Sequence, residues 1–198
     1  MPERLPEQEI LEKVLDVLDR LRLPYMIVGS MAVNFYGQPR YTHDLDLVVE
    51  LAAGHVPALV AAFGPDYYLS EEGIRRALLT GTSFNLIHPA SGFKVDFWLK
   101  KAGAFDQLQF DRRRPAAFLG RQAQLASPED LVLTKLDWFR RFESEKHWKD
   151  AETVYWAQRS RLDASYLDAW APKLGVQAEW ERLKELPGRK SGASGGQP

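Results

Sequence analysis

The spacing of apolar residues along the chain changes character near residue 127. Before that point, apolar positions follow either the two-residue period of strands or the 3.6-residue period of amphipathic helices. The helices predicted in this part cover residues 7–22, 31–36, 55–63 and 70–79. The predicted strands cover residues 25–28, 44–50, 84–88 and 93–99. Beyond residue 127 the period is helical throughout, so the sequence predicts an α+β fold with a C-terminal helical region.

Turn-forming residues separate these segments. Pro89 and Gly92 lie between the last two predicted strands, which indicates a hairpin. A proline makes residues 38–41 a loop. Residues 103–115 are rich in charge and are predicted to be irregular, and residues 117–125 are predicted to form a second short hairpin.

The C-terminal region begins with a strong signal for the start of a helix. Ser127 supplies a capping hydroxyl, Pro128 suits the first helical position, and two acids follow in the first turn. Helices are predicted over residues 128–142, 146–159, 164–171 and 176–186. We therefore expect a core over residues 1–126, a helical region over 127–186 and a disordered tail over 187–198.

The composition excludes several kinds of site. The 198 residues are 45% apolar, which is enough for an ordinary buried core, and the net charge of −1 gives no general attraction to polyanions. Cysteine is absent, so disulfides, thiolate zinc sites and a cysteine nucleophile are all excluded. No window reaches the roughly 18 apolar residues of a membrane span, and the N-terminus does not resemble a signal peptide. We expect a soluble, cytoplasmic protein.

The chemistry of the chain is concentrated in a strand–turn–helix–strand segment. Gly29-Ser30 follows an apolar strand, and its backbone N–H groups at a helix N-terminus suit phosphate. Asp44 and Asp46 are two residues apart on the next strand, so their carboxylates point to one face, roughly 7 Å apart. Such a pair suits Mg²⁺, which is usually bound by one or two carboxylates and substrate phosphates. Separately, the two motifs could be a tight turn and a solvated strand face; together they predict a site for nucleotidyl transfer.

A third carboxylate, Asp96, lies in the middle of the predicted strand 93–99. Its side chain is expected on the face opposite Val95 and Phe97. A third acid from a neighbouring strand is what a two-metal site requires, and Asp96 could also act as the general base for an acceptor hydroxyl. The alternative is an acid on an edge strand, paired with Lys94.

Together these residues resemble the polymerase-β-like nucleotidyltransferase superfamily, whose pattern they match at Gly29-Ser30, Asp44-x-Asp46 and Asp96. More narrowly, the chain is similar to small bacterial AbiEii-type nucleotidyltransferases in the phrases Arg40-x-Thr42-x-Asp44-Leu45-Asp46, Ser127-Pro128-Glu129-Asp130-Leu131 and Lys149-Asp150. The resemblance implies a mixed sheet with flanking helices and a C-terminal helical part that closes over the nucleotide. It also implies Mg²⁺ dependence, with two ions and with Mn²⁺ as a substitute, and transfer of a nucleoside monophosphate.

Further nucleotide contacts are implied by the same resemblance. Arg40, in the loop before the acidic strand, is close enough to reach phosphate, and a lysine or serine of the helical region is expected to contact nucleotide. The candidates are Lys135, Ser144 and Lys149. Their alternatives are a solvated helix face for Lys135, a helix N-cap for Ser144 and an exposed charge pair for Lys149 with Asp150.

Two other patterns are assigned to structure. The run Arg112-Arg113-Arg114 would give only weak, salt-dependent nucleic-acid binding and is interpreted as a solvated loop. The tryptophans of the helical region fall at helical positions and are interpreted as packing residues, not as a stacking platform.

The residues therefore favour an enzyme that transfers NMP from an NTP to a hydroxyl and releases pyrophosphate. The families it resembles include toxins that modify tRNA or proteins, for which a cognate antitoxin would be a partner, and enzymes that modify small molecules. The competing hypothesis is a non-catalytic nucleotide-binding or antitoxin-like regulatory domain on the same fold. The acceptor and the preferred NTP are not specified by any residue pattern.

Overall fold

The computed structural model describes residues 6–42 and 44–186. The helices are α1 Pro6–Arg20, α2 Gly29–Tyr36, α3 Val56–Ala62, α4 Glu71–Thr80, α5 Ala104–Asp111, α6 Pro128–Phe142, α7 Glu145–Gln158, α8 Ala164–Trp170 and α9 Gln177–Glu185. The strands are β1 Tyr25–Val28, β2 Asp44–Val49, β3 Tyr68–Leu69, β4 Ser83–His88, β5 Phe93–Leu99, β6 Arg114–Phe118 and β7 Arg121–Leu125. The predicted α+β class, a mixed sheet with flanking helices and a C-terminal helical region, is confirmed.

The strands form one mixed sheet in the order β3-β4-β5-β2-β1-β7-β6. Strand β2 pairs with β5 in parallel and with β1 antiparallel. The β2–β5 register places Asp44 beside Lys94 and Asp46 beside Asp96. The β1–β2 register places Val28 beside Asp46, so the end of β1 lies next to this acid.

Alternation along β2 and β5 divides the sheet into an apolar face and a polar face. Leu45 and Leu47 of β2 and Val95 and Phe97 of β5 are buried in the main hydrophobic cluster, together with much of α1. A second hydrophobic cluster joins α2 to the C-terminal helices through buried residues such as Val33 and Trp148. Asp44 and Asp46 of β2 and Trp98 of β5 consequently line a cavity together with residues of α6.

The prediction of an irregular segment over residues 103–115 is wrong. This segment contains α5 and the start of β6. Phe110 is buried, and Phe105 packs against the second cluster, so two aromatic residues anchor a helix whose other residues are mostly polar. The sequence prediction relied on the high charge of the segment and therefore overlooked these two aromatic residues.

Smaller differences concern the ends of elements. Helix α2 begins at Gly29 with Val28 as its N-cap, whereas the sequence predicted that Ser30 would be the capping residue. The two-residue strand β3 was not predicted, because two residues carry no periodicity. The disordered tail predicted over 187–198 lies outside the described residues. Within the described ranges, none of the helices is both long and apolar enough to cross a membrane.

Candidate active site

Asp44 and Asp46 lie side by side on the polar face of β2 and line a cavity of about 340 Å³. Gly29 and Ser30, at the start of α2, line the same cavity. The carboxylate pair and the Gly-Ser turn are therefore adjacent in space, although at least fourteen positions separate them in the sequence. The cavity is completed by residues of α5, α6 and the start of α7.

Asp46 is half-buried and accepts a hydrogen bond from a tryptophan of β5. The Trp98 indole Nε1 donates a hydrogen bond to its Oδ1 at 3.3 Å. Burial raises the pKa of the Asp46 carboxyl; the bond from Trp98 opposes this effect, while the nearby charges of Asp44 and Asp96 raise the pKa further. The charge of Lys135 lowers this pKa, but it does not outweigh burial and the two acids.

Asp44 is oriented by a neighbour at the end of the preceding loop. The Thr42 hydroxyl Oγ1 donates to Asp44 Oδ1 at 2.5 Å. This bond fixes one carboxylate oxygen. The two aspartates are thus held by different donors while their side chains share one face of β2.

Asp96 lies beside Asp46 in the register, but it does not line the cavity. The Lys94 ammonium is 2.7 Å from Asp96 Oδ2. The side chains are 43% exposed for Lys94 and 19% exposed for Asp96, so this ion pair is partly screened by water. Strand β5 lies between β4 and β2, so Asp96 is not on an edge strand, although its pairing with Lys94 is as the alternative interpretation expected.

The two aspartates of β2 fit a divalent cation of the Mg²⁺ type. Among the described residues, no three side chains of His, Cys, Asp or Glu are close enough together to form a complete metal site. Mg²⁺ does not need such a cage, because it usually keeps several waters and takes one or two carboxylates with substrate phosphates. Burial, and after it the charges of Asp44 and Asp96, raise the pKa of the Asp46 carboxyl, and a cation bound there would favour the ionised form.

Arg40 and Lys135 converge on one buried carboxylate, Asp150. The Arg40 guanidinium donates to both Asp150 oxygens at 2.9 Å, and the Lys135 ammonium donates to Asp150 Oδ2 at 2.8 Å. Arg40 also donates to Ser30 Oγ at 2.5 Å. Burial alone raises the pKa of Asp150, but the hydrogen bonds and charges of Arg40 and Lys135 outweigh it and hold the pKa below its usual value. Two cations on one anion leave a net positive charge beside the cavity.

Of Arg40, Lys135, Ser144 and Lys149, which the sequence predicted to contact nucleotide, only Lys135 lines the cavity. Lys135 is 6% exposed and lines the cavity, so the interpretation as a solvated helix face is wrong. Arg40 does not line the cavity and instead connects Ser30 to Asp150. The structure brings neither Ser144 nor Lys149 to the cavity: Ser144 is the N-cap residue of α7, and Lys149 is exposed and pairs with Glu152 at 3.4 Å.

The arginine run is not a solvated loop. Arg112 and Arg114 contact the buried carboxylate of Glu129 at 3.4 and 3.1 Å. Arg112 also stacks on the Tyr166 ring, with its guanidinium carbon 3.8 Å from the ring centroid. These arginines connect α5 and β6 to the first turn of α6.

Among the cavity side chains that sequence reasoning missed are three aromatic ones: Trp98, Trp138 and His147. Trp98 follows Lys94 and Asp96 at the two-residue period, so the period that located Asp96 could have located it too. Trp138 lies one helical turn after Lys135 and was assigned to packing. Burial lowers the pKa of His147, and the charge of Lys135 lowers it further, which favours the neutral imidazole.

No protein-family model matches the chain, and no curated protein matches its sequence. Solved structures do match its fold. The crystal structure of ANT(2'')-Ia in complex with adenylyl-2''-tobramycin is 17% identical over 88% of this chain and 99% of that chain, with a TM-score of 0.60. A solution structure of the antibiotic-resistance factor ANT(2'')-Ia is 16% identical over 90% and 95% of the two chains, with a TM-score of 0.53.

A third match is an antigenic nucleotidyltransferase-like protein from Paracoccidioides brasiliensis. It is 18% identical over 89% of this chain and 90% of that chain, with a TM-score of 0.54. At these identities the likeness concerns the fold. The chain, with its mixed sheet and flanking helices, therefore shares its fold with these solved structures.

Proposed function

We propose that the protein is a Mg²⁺-dependent nucleotidyltransferase, which transfers NMP from an NTP to a hydroxyl acceptor and releases pyrophosphate. One observation carries the proposal: the paired carboxylates of Asp44 and Asp46 share a cavity with the Gly29-Ser30 turn and the buried Lys135. A carboxylate pair suits a divalent cation, and a helix N-terminus beside a lysine suits a polyphosphate. The resemblance of the motifs to polymerase-β-like and AbiEii-type enzymes supports the same function.

In this proposal each residue has a distinct task. Asp44 and Asp46 hold the cations, two Mg²⁺ or Mn²⁺ ions, whose charge stabilises the triphosphate and the leaving pyrophosphate. Gly29 and Ser30 bind the β- and γ-phosphates through the N–H groups at the start of α2. Lys135 adds positive charge from the floor of the cavity, while Arg40 orients the Ser30 hydroxyl.

The transfer itself needs a group that accepts a proton. The acceptor oxygen forms a bond to the α-phosphorus, the bond from that phosphorus to the bridging oxygen breaks, and pyrophosphate leaves with the electron pair. Asp96, beside Asp46 but outside the lining of the cavity, takes the proton of the acceptor hydroxyl once its carboxylate has left Lys94 and turned towards the cavity. Water then removes the proton.

The acceptor belongs to one of three classes: tRNA, a protein or a small molecule. ANT(2'')-Ia was crystallised with an adenylylated small molecule, which supports the third class. The AbiEii-like motifs support the first two, and with them a toxin of a bacterial toxin–antitoxin pair whose partner is an antitoxin. Incubating the protein with each α-labelled NTP and a cell lysate, and finding which fraction carries the label, tests the three classes directly.

The second candidate function is a non-catalytic nucleotide-binding or regulatory domain. The ion pair of Lys94 with Asp96 favours it, because this pair occupies the carboxylate that would accept the proton. Titration calorimetry with ATP, CTP, GTP and UTP, with and without Mg²⁺, followed by a pyrophosphate-release assay, separates the two functions. We expect Mg²⁺-dependent binding and turnover; binding without turnover for every acceptor would favour the regulatory domain.

A further inference from the structure

Trp138 is an exposed aromatic side chain at the edge of the candidate active site. It is 37% exposed and lines the cavity. Trp148 and Trp180, on α7 and α9, are 4% and 2% exposed and belong to the second hydrophobic cluster. An indole left accessible beside two carboxylates differs from these packing residues, and its position favours a ligand-binding role.

Trp138 is connected to the carboxylates through Trp98. The Trp98 indole donates to Asp46, and its ring lies 6.4 Å from the Trp138 ring at an interplanar angle of 86°. On α7, His147 lies 5.3 Å from Trp138 at 71°. Trp98 and His147 both meet the indole edge-on, and Phe142 of α6 packs beside it at 5.7 Å and 59°. These contacts restrict the orientation of the Trp138 ring. The rings of Trp98, Trp138 and His147 form an aromatic wall that begins at Asp46 and includes the exposed indole of Trp138.

The order of groups along α6 matches a ligand with an anionic end and a flat end. Lys135 and Trp138 are three residues apart, so they lie on neighbouring turns, about 4.5 Å apart along the helix axis. Asp46 and Lys135 are among the charged residues that line the cavity, and the aromatic wall lines the same cavity. In a nucleoside triphosphate, one sugar ring separates the reacting phosphate from the flat, weakly polar base.

We infer that Trp138, held by Trp98 and His147, is the surface on which the nucleobase of the NTP stacks. This inference rests on the proposed function and assigns the base-binding part of the same cavity. Every base has a π-face, so stacking gives affinity without strict base choice. The wall therefore predicts that several NTPs bind, with modest differences between them.

The test compares two ligands that differ by the nucleoside. Affinities for ATP and for inorganic tripolyphosphate are measured by calorimetry in the presence of Mg²⁺, for the wild-type protein and for Trp138→Leu. We expect Trp138→Leu to weaken ATP binding about five- to fiftyfold and to leave tripolyphosphate binding unchanged. Trp138→Phe, which keeps an aromatic face, should restore most of the ATP affinity.

Trp156→Leu is the matched control, because Trp156 is a half-buried tryptophan of α7 that does not line the cavity. It should bind both ligands like the wild type. Tripolyphosphate binding by Trp138→Leu also reports that the variant is folded. If Trp138→Leu binds ATP like the wild type, or binds ATP and tripolyphosphate equally more weakly, the stacking inference is wrong and the proposed function is unaffected. If the wild-type protein binds neither ligand, both the inference and the proposed function are wrong.

Discussion

A Cβ atom added to Gly29 would lie 2.0 Å from Oδ2 of Asp46. Gly29 has a φ of +63°, so its backbone also adopts a conformation that side chains disfavour. The Asp46 carboxylate therefore occupies space that only a glycine at position 29 leaves free. This contact explains physically why a Gly-Ser turn and an Asp-x-Asp strand occur together in this chain.

Gly29→Ala should lower the free energy of unfolding by about 2 kcal/mol or more, because left-handed strain and displacement of the Asp46 carboxylate add together. For a chain of this length that corresponds to a fall in Tm of about 4–8 °C by calorimetry. Gly81→Ala is the control, since Gly81 has a φ of +65° with no atom within 4 Å of an added Cβ. Equal losses in both variants would show that the contact with Asp46 contributes nothing.

Asp46→Asn should stabilise the metal-free protein. The pKa of the Asp46 carboxyl is raised by burial and by Asp44 and Asp96, so its ionised form at neutral pH costs stability, whereas a neutral amide still accepts the Trp98 hydrogen bond. We expect a gain of about 1 kcal/mol, or about 2–4 °C in Tm. Mg²⁺ should raise the Tm of the wild type and not that of the variant. A lower Tm for metal-free Asp46→Asn would contradict this account of the site.

Asp150→Asn should be strongly destabilising, by about 3 kcal/mol, because Lys135 would remain buried without its counter-charge. The pKa of Asp150 is depressed, so its contribution is fully present above the unfolded value of about 3.9 and is lost as pH falls through the lower folded value. The Tm difference from wild type should thus be constant from about pH 5 to 7 and shrink below about pH 4.

Asp168→Asn provides the comparison for Asp150. Asp168 also has a depressed pKa, from the Trp180 hydrogen bond and Lys184, but its side chain is 55% exposed. Solvent screening should limit its effect to about 0–1 kcal/mol. A Tm difference for Asp150→Asn as small as that of Asp168→Asn would show that the pairing of Asp150 with Arg40 and Lys135 contributes little to stability.

Lys94→Met should bind divalent cations more tightly. Lys94 faces Asp44 in the register and pairs with Asp96, so it is a positive charge next to three carboxylates. Removing it should raise Mn²⁺ affinity in the absence of nucleotide by about three- to tenfold, a modest factor because the pair is partly exposed. Arg75→Met, which breaks an exposed pair with Glu71 on α4, is the control. Unchanged Mn²⁺ affinity would show that Lys94 does not compete for the site.

The sequence predicts those parts of the fold that depend on local patterns. The faces of β2 and β5 follow from alternation, and the start of α6 follows from its cap: the Ser127 hydroxyl accepts from the Asp130 backbone N–H, as predicted. Contacts across the chain have no local signal. Arg40 meets Asp150 from 110 residues away, and Trp138 lies at the cavity only because α6 packs over the polar face of the sheet.

The central claim is that Asp44 and Asp46 support metal-dependent transfer of NMP. It is tested most directly by measuring label transfer and pyrophosphate release with α-labelled and γ-labelled NTP, for the wild type, Asp44→Asn, Asp46→Asn and the control Glu50→Gln. Glu50 follows the same strand but pairs with Lys100 outside the cavity. We predict Mg²⁺-dependent transfer of the α-label alone, lost by about 10³-fold or more in both aspartate variants and retained in the control. Undiminished turnover in either folded aspartate variant, or transfer of the γ-label, would contradict the account.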